Sequence, residues 1–324
     1  MSKFIIAGIT QLETIVKVEK IPFDHKSFTA LNDAIHTSAG GDAFNMSLAL
    51  KWLGDDIRFM TVVGRDQSTG IFNPPDREVT LDTEYVLPLM NETPMEVMFF
   101  DNERREQAFE DLKDIRYVGY DMSLVDPIID SVDMVVLSNA NFCRPIMQLA
   151  GEHDKKIAVK IHSFSREKEK YNADYLSAAN IVFFSEGVTE DPYEFVQSMA
   201  KKYDIETIIL GQGADGLILH DEKNNMTVHY DPIRTGKVVN TAGAGNACFA
   251  CFLHYIQKGL DAVDAIHKAL LFTSNKIGYM GTSNGFMTEN QLEQWENLIW
   301  DPRGLNKVAE KKEKKPEGDA GIDE

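Results

Sequence analysis

Short apolar runs alternate along the chain with segments whose apolar residues recur at helical spacing. The runs Phe4–Gly8, Arg58–Val63, Met134–Leu137, Lys156–Ile161, Ile181–Ser185, Thr207–Leu210 and Gly216–His220 predict strands. The periodic segments Asp42–Leu53, Ser123–Ile129, Arg144–Glu152, Tyr171–Ala178, Pro192–Tyr203, Ala247–Lys258 and Leu260–Tyr279 predict helices. Strands that alternate with helices and are themselves apolar throughout predict an α/β fold: a doubly wound, mostly parallel sheet with helices on both faces. Two segments break the rhythm. Thr14–Ser38 and Glu92–Phe109 read as extended, partly alternating strands with no helix between them. They predict a small separate sheet, a lid over one edge of a main domain that runs to about residue 300. The charged stretch beyond it (301–324), clearest over Glu310–Glu324, has no apolar period and predicts disorder.

Composition narrows the class. A net charge of −18 argues against nucleic acid or an anionic membrane as partner. No apolar run reaches the roughly 18 residues of a membrane span. Met1–Ala7 lacks the pattern of a signal peptide and reads as the start of the first strand. Cys143 stands alone, and Cys248 and Cys251 fall inside an apolar helix, not at its start, so they read as buried apolar positions. The odd count predicts a reducing, cytoplasmic setting.

Candidate chemistry centres on glycines. Thr241-Ala242-Gly243-Ala244-Gly245-Asn246 follows an extended run (Val238, Val239) and opens an apolar helix. Backbone N–H groups at such a turn face the positive end of a helix dipole and suit an oxyanion or phosphate. A helix start without ligand is the plainer alternative. Gly40-Gly41 precede the helix at Asp42, either for close approach to a ligand or for an N-terminal cap by Asp42. Gly211-Gln212-Gly213-Ala214-Asp215-Gly216 has dinucleotide-site spacing, but a strand follows it and not a helix, so a hairpin turn is the better reading. The eight histidines show no metal-ligand spacing, and no metal site is expected from them. Met95, Met98, Phe99 and Phe100 read as lid or dimer core.

These motifs, in this order, resemble the ribokinase (PfkB) family of sugar and nucleoside kinases, over about residues 3–295. The 241–246 stretch is similar to the family's Asp-Thr-x-Gly-Ala-Gly-Asp, with Asn240 and Asn246 at the two aspartate positions. Gly40-Gly41-Asp42-Ala43-Phe44-Asn45, followed by a helix ending Leu53-Gly54, resembles the substrate-binding Gly-Gly-x-x-x-Asn. Val63-Gly64-Arg65-Asp66 with Gly70 continues the match, and Gly8 with Glu13 resembles the opening Gly-x-x-x-x-Asp. Gly213 and Gly216 match the family's Thr-x-Gly-x-x-Gly nucleotide turn, with Gly211 at the Thr position. Ser185 and Val188 stand where the family has Asn-x-x-Glu, with Glu186 and Glu190 out of register, and Lys160-Ile161-His162 where it has Asp-Pro-Asn/Asp.

The resemblance implies ATP-dependent phosphoryl transfer to a hydroxyl of a sugar, sugar phosphate or nucleoside, with ATP and Mg²⁺ as cofactors and a homodimer through the lid. It implies substrate contacts at Glu13, Gly40, Gly41 and Asn45, nucleotide contacts at Ser185, Gly211, Gly213 and Gly216, and an anion hole at Gly243, Ala244 and Gly245. Asn246 takes the position of the family's catalytic base. From the residues alone, Glu13 reads equally as a solvated acid on an edge strand. Two functions stay open: a kinase that tolerates or replaces the base, and a pseudokinase that keeps ligand binding without turnover.

Overall fold

The computed structural model describes residues 1–22, 28–66, 72–74, 78–101, 104–186, 188 and 190–299. The predicted disorder of 301–324 and the motif residue Gly70 lie outside them.

Thirteen strands form two sheets among these residues. The large sheet has the order β13-β12-β11-β10-β9-β8-β1-β4-β5. Its parallel strands are β1 (Lys3–Ala7), β4 (Asp56–Gly64), β5 (Val86–Met90), β8 (Met134–Ser138), β9 (Lys156–Ser163), β10 (Ile181–Glu186) and β11 (Thr207–Gly211). An antiparallel edge follows, β12 (Leu217–Asp221) and β13 (Met226–Tyr230). β1 lies between β4 on one side and β8 on the other, and the strand order reverses there. In such sheets ligands bind beyond the carboxyl ends of strands where the order reverses, so β1 marks the place to look.

Alternate residues of each strand supply two cores. Phe4, Ile6, Val136 and Phe183 face a layer made of α1 (Asp42–Trp52), α5 (Ala244–Gln257), α6 (Ala262–Lys276) and α7 (Glu289–Ile299). Ile5, Ala7, Val135 and Phe184 face α2 (Arg144–Glu152) and α4 (Pro192–Tyr203), with α3 (Glu169–Ala178) beside them. Helix α1 is buried from Asp42 to Leu50 because it is packed between sheet and α5 and keeps no solvent face. Cys248 and Cys251 are buried and free in α5, as expected; burial pushes the Cys248 thiol up to about 12.

The small sheet is present, with order β3-β2-β6-β7 from β2 (Gln11–Val18), β3 (Ile35–Gly40), β6 (Met95–Asp101) and β7 (Arg104–Asp111). Its own core is small: Ile15, Met98 and Phe100, closed by Ala242 from the segment before α5. Met95 is exposed.

Four expectations change. Ser123–Ile129 is not a helix but two short 3-10 turns, Met122–Leu124 and Ile129–Ser131. Between them Pro127 has no N–H to donate and disfavours helical backbone at Asp126. The run Val238, Val239 joins no sheet; the N–H groups of Val239 and Asn240 bond the Ile277 carbonyl at 2.8 and 3.1 Å. The long helix expected to Tyr279 stops at Lys276. Helix α7 was not expected, although the Thr288 and Gln291 side chains each bond the other's backbone N–H, a capping box legible in Thr288-Glu289-Asn290-Gln291. Among the described residues no helix is long and apolar enough to cross a membrane.

One buried polar contact ties the sheet to α5. Asp55 accepts from the Ser2 N–H at 3.0 Å and pairs with His254 Nδ1 at 2.7 Å, both side chains nearly inaccessible. Asp55→Ala leaves two buried donors unmatched. It should lower the unfolding free energy in urea by about 2–3 kcal/mol; a change below about 0.5 kcal/mol would contradict this account.

Candidate functional site

The chain leaves β1 through Gly8–Thr10 and enters the small sheet at Gln11, so β2 starts at the reversal point of the large sheet. Glu13 sits two residues further on. It is buried, and β2 lies between β3 and β6, which removes the reading as a solvated acid on an edge. The Gly41 N–H donates to Glu13 Oε1 at 2.7 Å. Gln11 Nε2 donates to the same oxygen at 3.3 Å and to Glu96 Oε2 at 2.8 Å. Burial pushes the Glu13 carboxyl up, partly offset by the Gly41 N–H and Gln11.

The two glycines are explained by contact. A Cβ on Gly40 would fall 1.9 Å from Glu13 Oε2. Gly41 has φ +89° and a Cβ there would fall 2.6 Å from the Ile9 carbonyl. The β3–α1 junction therefore presses directly on the carboxylate. Gly41, not Asp42, is the N-cap of α1, and no side chain caps that end. The capping role for Asp42 is thus replaced by another: its carboxylate pairs with Lys160 Nζ at 2.7 Å, both buried, with His162 Nδ1 at 3.8 Å from the other oxygen. Burial alone would raise the Asp42 carboxyl; the Lys160 ammonium and His162 more than offset it and hold it well below the usual carboxylate range. Asn45, one turn into α1, is buried with neither amide atom bonded.

The glycine turn faces this group. Gly243 is the N-cap of α5 at φ +77°, and a Cβ there would fall 2.4 Å from the Thr282 carbonyl. Asn240 Oδ1 accepts from the Ala242 N–H at 2.6 Å and sets the turn. The Ala244 N–H folds back to the Thr241 carbonyl at 3.2 Å, so three successive free N–H groups at Gly243, Ala244 and Gly245 do not form. The N–H groups of Gly243, Gly245 and Asn246 make no hydrogen bond to another described residue. They are the unsatisfied donors of a helix start. Lys160 passes beside the turn, its Cε 4.0 Å from the Cβ position of Gly245. Asn246 is buried and its Oδ1 has no partner.

On the other side of the turn, Ser185 is the last residue but one of β10 and Gly211 ends β11. A Cβ on Gly211 would fall 3.2 Å from the Ser185 carbonyl, so the two are in contact. Gly213 opens a 3-10 turn that Gly216 closes, and β12 returns antiparallel: the hairpin expected from the spacing. Ser185 Oγ is buried without a partner. Val188 packs against the core and Glu190 pairs with Arg166 at 2.8 Å. Asp66 receives the Thr93 hydroxyl and N–H at 2.7 and 3.2 Å, fixing the turn between β5 and β6. Among the described residues no three His, Cys, Asp or Glu side chains group as metal ligands.

The sequence pattern assigns no role to Gln11, Glu96, Lys160, Lys276 or Thr282. Lys160 left a signal, a charge inside an apolar strand run. The others have none, because their partners are remote in sequence.

A family model described as pfkB family carbohydrate kinase matches residues 1–289. The chain belongs to the pfkB family of carbohydrate kinases. This pfkB chain is 20% identical to the ribokinase of Dictyostelium discoideum over 313 residues, 89% of this chain and 98% of that one. A putative ribokinase from Agrobacterium tumefaciens superposes with TM-score 0.77 at 17% identity, over 91% and 99% of the two chains. The Arabidopsis thaliana ribokinase, solved with ribose and ATP, superposes with TM-score 0.71 at 14% identity, over 91% and 98%. At these identities the structural likeness speaks for the fold: a ribokinase-like main sheet with a small second sheet.

The Asp42–Lys160 pair joins α1 to β9 beneath the glycine turn. Lys160→Met strands a buried carboxylate and should destabilise the protein by about 3–5 kcal/mol in denaturant titration, with most of the loss recovered in Asp42→Asn/Lys160→Met. A single variant within about 1 kcal/mol of wild type would show that the pair does not hold this junction.

Proposed function

We propose that this pfkB-family chain binds ATP and a hydroxylated small molecule of the sugar or nucleoside type in the cleft between the small sheet and the glycine turn. It then transfers the terminal phosphate to a ligand hydroxyl at a rate held down by Asn246. One observation carries the reading: around the start of β2, the β3–α1 junction and the glycine turn, Gln11 Oε1, Glu13 Oε2, both amide atoms of Asn45, Thr282 Oγ1 and Asn246 Oδ1 are buried without partners. Buried polar atoms are otherwise satisfied almost everywhere in proteins. A sugar hydroxyl donates and accepts at once, so a polyol matches a mixed set of orphaned donors and acceptors better than an apolar or purely anionic ligand.

The chemistry follows from the residues. Glu13 and Asn45 orient the ligand; the free N–H groups of Gly243, Gly245 and Asn246 receive the terminal phosphate and stabilise its charge. The ligand oxygen bonds to phosphorus as the bond to the bridging oxygen of ADP breaks, and the hydroxyl proton must leave. A carboxylate at position 246 would take it; an amide has no useful basicity, so the proton passes to water or to a phosphate oxygen. ATP fits the turn. Mg²⁺ would neutralise phosphate charge when bound, but Ser185 and Val188 offer it no carboxylate and Asp42 is committed to Lys160. The small sheet also exposes Ile35, Met95 and Phe109, which supports pairing of two copies through it.

The residues at 246, 185 and 188 also favour a second reading, a ligand-binding protein without turnover. A thermal-shift panel of sugars and nucleosides, each with and without ATP, should raise the melting temperature for at least one pair; a flat panel would count against both readings. With that ligand, Asn246→Asp should raise ATP-dependent turnover by about 10²–10³-fold. Retained binding with no gain in turnover supports the second reading.

A further inference from the structure

Lys276 ends α6 and is fully buried. Its ammonium donates to the Gly281 carbonyl at 2.8 Å and to the Ala242 carbonyl. It forms no ion pair with a described carboxylate. Two backbone carbonyls ligate it instead, at the negative end of its own helix. Burying a lysine this way is costly and needs a reason. Its surroundings supply one. The carbonyl of Ala242 and the N–H of Gly243 are the two ends of one planar peptide unit. One end is held by the ammonium; the other is the first free donor of the glycine turn. A positive charge on the oxygen draws electron density through the amide and strengthens the N–H as a donor, as chains of hydrogen bonds polarise one another in a low-dielectric interior.

We propose that Lys276 is a positioning residue for the glycine turn: its buried ammonium grips the Ala242–Gly243 peptide from behind, aims the Gly243 N–H into the cleft and polarises it toward the terminal phosphate of a nucleotide. The inference rests on the reading of the cleft as a nucleotide site. The grip is mechanical as well as electrostatic. Ala242 closes the core of the small sheet, and Gly281 precedes Thr282, against whose carbonyl Gly243 is packed. Lys276 thus joins the turn, the segment after α6 and the small sheet at one atom.

The charge is titratable. Burial pushes the ammonium down to about 7, and Glu13 is the carboxylate that works against this from β2. Its two direct partners are the neutral carbonyls of Ala242 and Gly281. The charge is present below about pH 7 and is lost as pH rises through that value. Any contribution to phosphate binding fades in the same direction.

The test is calorimetric titration of AMP-PNP and of ADP, each with Mg²⁺, into wild type, Lys276→Met and Lys276→Ala. ADP lacks the phosphate that meets the turn, so it reports everything except the proposed contact. Wild type should prefer AMP-PNP, and the preference should shrink between about pH 6 and about pH 9 by more than the phosphate's own titration gives in Lys276→Met. Lys276→Met should weaken AMP-PNP about tenfold and leave ADP within about twofold. In Lys276→Ala, methylammonium should restore part of the AMP-PNP affinity. Equal loss of both nucleotides, or no loss of either, overturns the proposal. Should the variants not fold, a wild-type structure with AMP-PNP in which the Gly243 N–H does not meet the terminal phosphate overturns it alone. Wild type that binds neither nucleotide overturns the nucleotide-site reading itself, an outcome distinct from the others.

Discussion

The carbonyl of Thr282 occupies the space that a side chain on Gly243 would need. Only a glycine in the left-handed region passes there, and that close packing sets where α5 begins. The free N–H groups at 243, 245 and 246 inherit their positions from it. So does Ala242, which the same contact places in the core of the small sheet. One backbone-to-backbone contact thereby fixes the N-terminal end of α5 relative to the strands that carry Glu13 and Glu96.

The cleft uses buried charge in three ways. Asp42 and Lys160 neutralise each other and hold α1 to β9 beneath the turn. Glu13 is kept by N–H and amide donors, with one oxygen left over. Lys276 is kept by carbonyls alone. The Asp42–Lys160 pair is a joint between elements; the Lys276 ammonium holds backbone; the Glu13 carboxylate keeps one oxygen open. That division accounts for why removal of Lys160, which breaks a buried ion pair, and of Lys276, which frees two carbonyls, should have different signatures.

Much of this was legible in the chain. Strands apolar on every residue announced a parallel sheet covered on both faces, and the stretches without helices announced the small sheet. Gly40, Gly41 and Gly243 landed where close approach requires them. Local pattern failed where a single residue countermanded it, as Pro127 did in Ser123–Ile129. It failed again where structure is made by partners remote in sequence. Lys276 reads as an ordinary helix-end lysine until Ala242 and Gly281 are seen around it, and Gln11 has no meaning without Glu96, eighty-five residues away. Asp42 was legible as a residue but not as a role, since its partner Lys160 is 118 residues distant.

The central claim is that the cleft between Glu13 and the Gly243 turn is where a hydroxylated ligand meets a phosphate. A crystal structure with ribose and AMP-PNP tests it most directly. The account predicts ribose hydroxyls within hydrogen-bond distance of Glu13 and Asn45, and the terminal phosphate on the N–H groups of Gly243 and Gly245. Ribose or phosphate bound elsewhere, with those atoms still unpartnered, would contradict it.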